Sequence, residues 1–133
     1  MKDTILIIED SKLLAKSLAL NLNNMGLKTL IGYSWQEGRD ILNADADKIG
    51  LIFLDYLLPD SNGLEILDRL KENENFSGIP VVILTSIEDQ SILNEGLSKG
   101  AKDYLIKSNI NVETLIEFAN KYIDAPDIVK LPQ

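Results

Sequence analysis

Short apolar runs alternate with amphipathic segments along the chain, and no other feature of the sequence limits the possible folds as much. Three runs, at 5–8, 51–54 and 81–84, contain only aliphatic and aromatic side chains. Runs of this kind are typical of strands that are buried on both faces, as in a parallel sheet. Two weaker runs, at 28–33 and 104–106, bring the number of predicted strands to five.

A helical pattern follows each predicted strand. The first helix is expected from Ser11 to Met25, where Gly26 supplies a stop. A capping box of Ser34 and Glu37 begins the second helix, and Asn111 can cap the fifth. The apolar positions that mark the five helices are Leu14, Leu18, Leu22 and Met25; Ile41 and Leu42; Leu64, Leu67 and Leu70; Ile92, Leu93 and Leu97; and Leu115, Ile116, Ala119 and Tyr122. Five strand–helix units with right-handed crossovers predict an α/β fold with a doubly wound, five-stranded parallel sheet.

Length and charge indicate one acidic domain. The chain has 133 residues, and we expect a single domain over 1–124, with a tail or linker stub over 125–133. With 13 basic and 21 acidic residues its net charge is −8, which disfavours binding to nucleic acid or anionic lipid.

The apolar run near Met1 is too short for a signal peptide, and no apolar run in the sequence is long enough to span a membrane. We therefore expect a cytoplasmic protein.

The sequence contains no Cys and no His. This excludes disulfides, thiol catalysis, zinc sites built from Cys and His, and catalytic triads that need an imidazole. Any chemistry must therefore come from carboxylates, hydroxyls, lysine or a hard metal ion.

Charged and hydroxyl side chains occur where the predicted strands end. Glu9 and Asp10 follow the first strand, Asp55 the third, Thr85 the fourth and Lys107 the fifth. Ligand sites in sheets of this type lie outside the carboxyl ends of the strands, so we expect these side chains to converge. Clustered carboxylates favour a hard divalent cation such as Mg2+, and lysine suits phosphate oxygens. A carboxylate in that setting can act as a nucleophile toward phosphorus.

At these residues the sequence resembles the receiver domains of response regulators from bacterial two-component signal transduction. The resemblance is carried by Glu9-Asp10, the stretch DYLLPDSNG at 55–63, Thr85 and Lys107, in the family's order and spacing. It extends over nearly the whole chain. It implies the flavodoxin-like strand order 2-1-3-4-5.

The resemblance also implies a role for each of these residues. Asp55 would accept a phosphoryl group from a phosphohistidine of a histidine kinase or a histidine phosphotransfer protein. Asp10, Asp55 and the backbone carbonyl of Leu57 would bind Mg2+, with Glu9 helping through water. Lys107 would pair with the phosphoryl group. The chain would be a signalling module, not an enzyme, and would promote only its own phosphoryl transfer and dephosphorylation.

Further residues are implied in switching and in the lifetime of the phosphorylated state. Thr85 would move toward the phosphoryl group and Tyr104 would change rotamer, which couples the site to the face of the fourth helix, fifth strand and fifth helix. A downstream effector protein or domain would bind that face. Leu57 and Ile87 would lie beside the route of the attacking water, and because both are apolar they would slow loss of the phosphoryl group.

The first helix carries two apolar residues outside its buried stripe. At about 100° per residue, Leu13 and Leu20 fall on a different side from Leu14, Leu18 and Leu22. Exposed apolar residues in a polar surround can mark an interaction site. We expect Leu13 and Leu20 to form a docking patch for the phosphohistidine protein, since this helix begins directly after Asp10.

The sequence departs from the family at the residue that follows Lys107. Ser108 follows Lys107, where the family usually has Pro after a cis bond. A cis bond before Ser would cost about 2.5–4 kcal/mol, and both isomers stay open.

Other functions have to be weighed against that of a receiver domain. An aspartyl phosphohydrolase on a similar fold commonly needs a second Asp where this chain has Leu57. A flavin carrier must bind the phosphate of its cofactor in the first loop, where Glu9 and Asp10 would repel it. The last alternative is a docking module that is never phosphorylated.

Overall fold

The computed structural model describes residues 2–86 and 88–123. Its strands are β1 (Thr4–Ile8), β2 (Lys28–Gly32), β3 (Ile49–Asp55), β4 (Val81–Thr85) and β5 (Asp103–Ile106). Its helices are α1 (Lys12–Asn24), α2 (Trp35–Asp45), α3 (Gly63–Glu72), α4 (Gln90–Ser98) and α5 (Val112–Tyr122). Two short 3-10 turns that the sequence did not predict lie at Ala46–Lys48 and Lys107–Asn109. The predicted tail at 125–133 and the side chain of Ile87 lie outside the described residues.

The strands form one parallel sheet in the order β2-β1-β3-β4-β5. This confirms the predicted fold class and strand order. β1, β3 and β4 are buried along their whole length, because helices cover both faces of the sheet. In the described residues, no helix combines the length and the apolar character needed to cross a membrane.

Alternate side chains of the central strands fill two separate apolar layers. Leu51 and Phe53 of β3 pack in the layer beneath α1 and α5, whereas Ile52 and Leu54 pack in the layer beneath α2 and α3. In the first layer the ring of Phe118 meets Phe53 edge to face, with centroids 6.2 Å apart. Phe118 was missing from the predicted face of α5, although it is one of the largest side chains that the helix buries.

Side-chain caps begin the helices near the positions that the sequence predicts. The Ser34 hydroxyl accepts from Glu37 N at 3.1 Å, while the Glu37 carboxylate accepts from Tyr33 N, one residue before the usual capping-box donor. α1 ends before Gly26, whose φ of 87° is readily adopted only by glycine.

Along α4, Leu93 is buried but Leu97 is exposed, so the buried face of this helix is narrower than predicted.

Candidate functional site

The parallel register brings the ends of four strands to one edge of the sheet. Asp55 is the last residue of β3, Thr85 the last of β4, and Lys107 follows β5. Glu9 follows β1 and donates its backbone N–H to Gly32 O at the end of β2. One open cavity at this edge is lined by Asp10, Asp55, Tyr56, Leu57, Thr85, Ser86 and Lys107.

Lys107 forms ion pairs with two carboxylates at this edge. Its Nζ lies 2.7 Å from Glu9 Oε1 and 3.2 Å from Asp55 Oδ1. Glu9 is fully buried, and its second oxygen accepts a hydrogen bond from Ser11 N at 3.0 Å. The pairing of Glu9 with Lys107 was not predicted from the sequence. The signal for it was that a carboxylate directly after a fully buried strand needs a partner inside the protein.

The pKa of Asp55 is strongly perturbed. Burial, together with the hydrogen bond and the negative charge of Glu9, raises the pKa of Asp55 from 3.8 to about 7, and Lys107 only partly offsets this rise. Burial opposes ionisation of Glu9, but hydrogen bonds from Asp55 and Lys107 hold the pKa of Glu9 below its usual range. Without a further cation, Asp55 is therefore the acid of this pair that retains a proton near neutral pH.

Burial also acts on Lys107. Burial favours the neutral amine, but the hydrogen bonds and the negative charges of Glu9 and Asp55 keep the pKa of Lys107 above its usual value. Lys107 therefore enters the site as an ammonium group.

The oxygen atoms present fit a hard divalent cation. Glu9, Asp10 and Asp55 each offer a carboxylate oxygen, and these oxygens lie within 4.8 Å of one another. Three carboxylates face the single ammonium group of Lys107, so an additional cation would relieve their repulsion. Asp10 is exposed, and both oxygens of Glu9 are engaged by Lys107 and Ser11. Asp10 and Asp55 are therefore better placed than Glu9 for direct coordination.

The loop after β3 is a closed turn that exposes Leu57. Gly63 N donates to Tyr56 O at 2.7 Å and Leu58 N donates to Ser61 O at 3.0 Å. These two hydrogen bonds flank Leu57, which forms an isolated bridge with Asn62, and its own carbonyl is not used to close the turn. The Leu57 side chain is 60% exposed at the cavity.

Of the other predicted residues that the structure describes, Thr85 lies at this cavity, and Tyr104, Leu13 and Leu20 lie outside its lining. Thr85 is buried and lines it. Tyr104 is half-buried one strand away and packs against the apolar layer beneath α2 and α3, outside the cavity lining. Leu13 is 85% exposed and Leu20 is 61% exposed, which confirms that both lie off the buried stripe of α1.

The bond between Lys107 and Ser108 is trans. Among the residues that the structure describes there is no cis peptide bond, and Lys107–Asn109 form a 3-10 turn instead. Of the two isomers that the sequence left open, the structure therefore has the trans bond with a reshaped loop. This loop still places the Lys107 ammonium group beside Asp55.

Asp60 caps a helix from a distant part of the chain, a contact not predicted from the sequence. Its Oδ1 accepts from Trp35 N at 2.9 Å and its Oδ2 accepts from Gln36 N at 3.0 Å. Desolvation opposes ionisation, but these two N–H donors hold the pKa of Asp60 below its usual range. The loop after β3 is thereby attached to the first turn of α2. No local pattern reveals a cap contributed by a residue so distant in the sequence.

The sequence and the fold of this chain are both similar to those of known proteins. A family model described as response regulator receiver domain matches residues 5–120. The chain is 38% identical over 103 residues to the response regulator ArlR of Staphylococcus haemolyticus, covering 77% of this chain and 45% of ArlR. It is 30% identical to the transcriptional regulatory protein CrdR of Helicobacter pylori, covering 80% of this chain and 49% of CrdR.

A solved structure is similar over most of both chains. The crystal structure of a two-component response regulator from Clostridium difficile superposes with a TM-score of 0.80 at 28% identity, covering 89% of this chain and 93% of that one. In contrast, this chain spans about half the length of the curated relatives it matches.

Proposed function

The chain belongs to the response regulator receiver domain family, and from that premise we propose that it is a signalling module switched by phosphorylation of Asp55. The donor is a phosphohistidine on a histidine kinase or a histidine phosphotransfer protein. The observation that carries this proposal is the convergence of Asp10, Asp55 and Lys107 at one open cavity. We propose a cytoplasmic location, where such a donor is available.

The chemistry assigned to the site is an in-line phosphoryl transfer. A carboxylate oxygen of Asp55 attacks phosphorus, the new P–O bond forms, the P–N bond breaks and the imidazole leaves. Lys107, now 3.2 Å from Asp55, turns to the incoming phosphoryl oxygens, where its mobile ammonium group offsets their charge. Its pair with Glu9 keeps this ammonium group at the site.

The proposed metal ion is Mg2+. Asp10, Asp55 and the carbonyl of Leu57 would hold it, with Glu9 contributing through water. When bound, Mg2+ would supply positive charge that offsets charge on the transferred group and favours the ionised form of Asp55. With the exposed carboxylate of Asp10 and few protein ligands, we expect the site to be weak.

The experiment that tests this function is phosphorylation by a small-molecule donor. Incubation with acetyl phosphate and Mg2+ is expected to add one phosphoryl mass to the chain, detected by mass spectrometry. Asp10→Ala is expected to weaken Mg2+ binding and slow phosphorylation, each about tenfold or more, because it removes a charged metal ligand. A wild-type chain that gains no phosphoryl mass would instead be a docking module, and an unchanged Mg2+ titration in Asp10→Ala would remove Asp10 from the metal site.

The output is assigned to the face formed by α4, β5 and α5. Thr85 lies at the end of β4, next to the acceptor strand, and pairs in register with Ile106 of β5. We propose that Thr85 moves toward the phosphoryl group and that Tyr104, half-buried two residues before Ile106, changes rotamer in response. A downstream effector protein or domain reads this change. Apart from its own phosphoryl transfer and dephosphorylation, the chain carries out no catalysis in this proposal.

Leu57 and Ile87 are proposed to prolong the phosphorylated state. Leu57 lines the cavity with an exposed apolar side chain, and neither residue can orient an attacking water by hydrogen bonding. Exchange of Leu57 and Ile87 for Asn is expected to shorten the phosphorylated lifetime several-fold, less than the roughly 10²–10⁴-fold of general acid–base catalysis, because an amide can orient a water but cannot take its proton. Decay of the phosphorylated species, followed by mass spectrometry, measures it, and an unchanged half-life would refute the role.

Leu13 and Leu20 are proposed to dock the phosphohistidine protein. Leu13→Ser with Leu20→Ser is expected to preserve phosphorylation by acetyl phosphate, because both side chains are mostly exposed. Transfer from the cognate phosphohistidine protein should slow about tenfold, the scale of losing more than 1 kcal/mol of interface energy. Leu97→Ser on α4 serves as the control, since Leu97 is also an exposed leucine. Equal transfer rates in the double variant and the control would exclude the patch.

A further inference from the structure

The tip of the loop after β3 is held by a helix from another part of the fold. Asp60 lies within the turn 56–63, and its two carboxylate oxygens accept the backbone N–H groups of Trp35 and Gln36 at 2.9 and 3.0 Å. The first N–H groups of a helix have no partner within the helix, so a carboxylate there is stabilised by hydrogen bonds and by the helix dipole. One side chain thus connects α2 to the loop that carries Leu57.

The start of α2 is a firm attachment point. A Cβ on Gly38 would lie 2.6 Å from Ile8 Cδ1, and a Cβ on Gly32 would lie 2.7 Å from Gly38 N. The helix therefore rests directly on the ends of β1 and β2. The Trp35 side chain is buried in the same apolar layer as Ile8. These contacts leave the first turn of α2 little freedom to move relative to the strand that precedes Glu9 and Asp10.

The base of the turn is equally well defined. Gly63 N donates to Tyr56 O at 2.7 Å, and a Cβ on Gly63 would lie 3.1 Å from Tyr56 Cα. Leu57 follows directly after this base and comes before the tip at Asp60. Its own N–H donates to Asp55 Oδ1 in a long hydrogen bond of 3.4 Å. Its position relative to Asp55 is thus set by this contact together with two attachments of the turn, one at the base and one at the tip.

We propose that Asp60 is a positioning residue for the metal site: by clamping the turn to α2, it sets where the Leu57 carbonyl lies relative to Asp10 and Asp55. This inference rests on the proposed function, because it concerns a proposed metal ligand. Asp60 itself does not touch the ion. Its removal detaches the tip from α2 and leaves there the exposed 3.3 Å hydrogen bond from Ser61 Oγ to Glu65, so that the turn can pivot at its base and carry the Leu57 carbonyl away from the other two ligands.

The test compares two variants that weaken the same helix end. Asp60→Ala removes the acceptors for Trp35 and Gln36, whereas Ser34→Ala removes the acceptor for Glu37 N and leaves the turn attached. Asp60→Ala is expected to raise the Mg2+ dissociation constant, measured by calorimetry, on the order of tenfold, as is typical when a group that orients a metal ligand is lost. Ser34→Ala is expected to lose stability but to keep wild-type Mg2+ affinity.

Two further measurements make the test specific. The Mg2+ concentration for half-maximal phosphorylation by acetyl phosphate should rise by the same factor in Asp60→Ala, and only there. Asp60→Asn, which keeps one acceptor oxygen, should lie between Asp60→Ala and the wild type, and it decides the question if the alanine variant does not fold. Wild-type Mg2+ affinity in both Asp60 variants, or an equal loss in Ser34→Ala, overturns the clamp. A wild-type chain that binds no Mg2+ and gains no phosphoryl group instead overturns the proposed function.

Discussion

Asp55→Asn is expected to abolish phosphorylation of the chain by acetyl phosphate in the presence of Mg2+. In the proposed function the phosphoryl group attaches to a carboxylate oxygen of Asp55, which lies at the end of the central strand with its Oδ1 3.2 Å from Lys107 Nζ. An amide is neither charged nor nucleophilic enough to replace it. We expect the yield of phosphorylated protein to fall below detection by intact-mass spectrometry.

The control for this experiment is Asp47→Asn, which makes the same change in charge at an exposed residue in the 3-10 turn after α2. It should be phosphorylated like the wild type. The bond formed at Asp55 is an acyl phosphate, so hydroxylamine should release the phosphoryl group. Equal phosphoryl incorporation in Asp55→Asn and the wild type would show that another residue is the acceptor.

In the absence of metal, Asp55→Asn is expected to be more stable than the wild type above neutral pH. The pKa of Asp55 is raised from 3.8 to about 7 in the folded protein, so folding favours its protonated form. The contribution of the protonated carboxyl is therefore complete below about pH 4 and is lost as pH rises through about 7. At about 1.36 kcal/mol for each pKa unit, the loss in the wild type is about 4 kcal/mol at most.

Urea unfolding at pH 5 and pH 8 in a chelator measures this difference. The stability advantage of Asp55→Asn over the wild type should grow by a few kcal/mol between the two pH values. Saturating Mg2+ should then restore the wild type and leave Asp55→Asn nearly unchanged, because ligand binding stabilises only a folded state with an intact site. An advantage that is equal at pH 5 and pH 8 would contradict the raised pKa.

Much of the fold could be predicted because the periodicity of the sequence reports burial directly. The run at 51–54 predicted a central strand, and the structure extends it to Ile49–Asp55. The apolar spacing of α1 predicted both its buried stripe and the exposure of Leu13 and Leu20. Phe118 was missed although its spacing, three residues after Leu115 and four before Tyr122, places it on the same face of the helix.

The candidate site was predictable in its composition but not in its contacts. The site residues could be predicted because the carboxyl ends of parallel strands lie at one edge of the sheet. The residues found at those ends are Glu9, Asp10, Asp55, Thr85 and Lys107. That Lys107 reaches Glu9 at 2.7 Å depends on the trans loop at Ser108, whose shape is not encoded by any short motif. That Asp60 caps α2 depends on how two crossover loops meet above the sheet.

The site draws its side chains from the ends of β1, β3, β4 and β5, with the residues close together in space and far apart along the chain. No single hairpin or local segment contains a working fragment of it. Contacts of such large sequence separation form only when the intervening chain has folded. In the proposed function, the ability to accept a phosphoryl group therefore depends on the whole domain: a partly synthesised or locally unfolded chain, with Lys107 away from Asp55, would not react with the donor, and only correctly folded copies would pass on the signal.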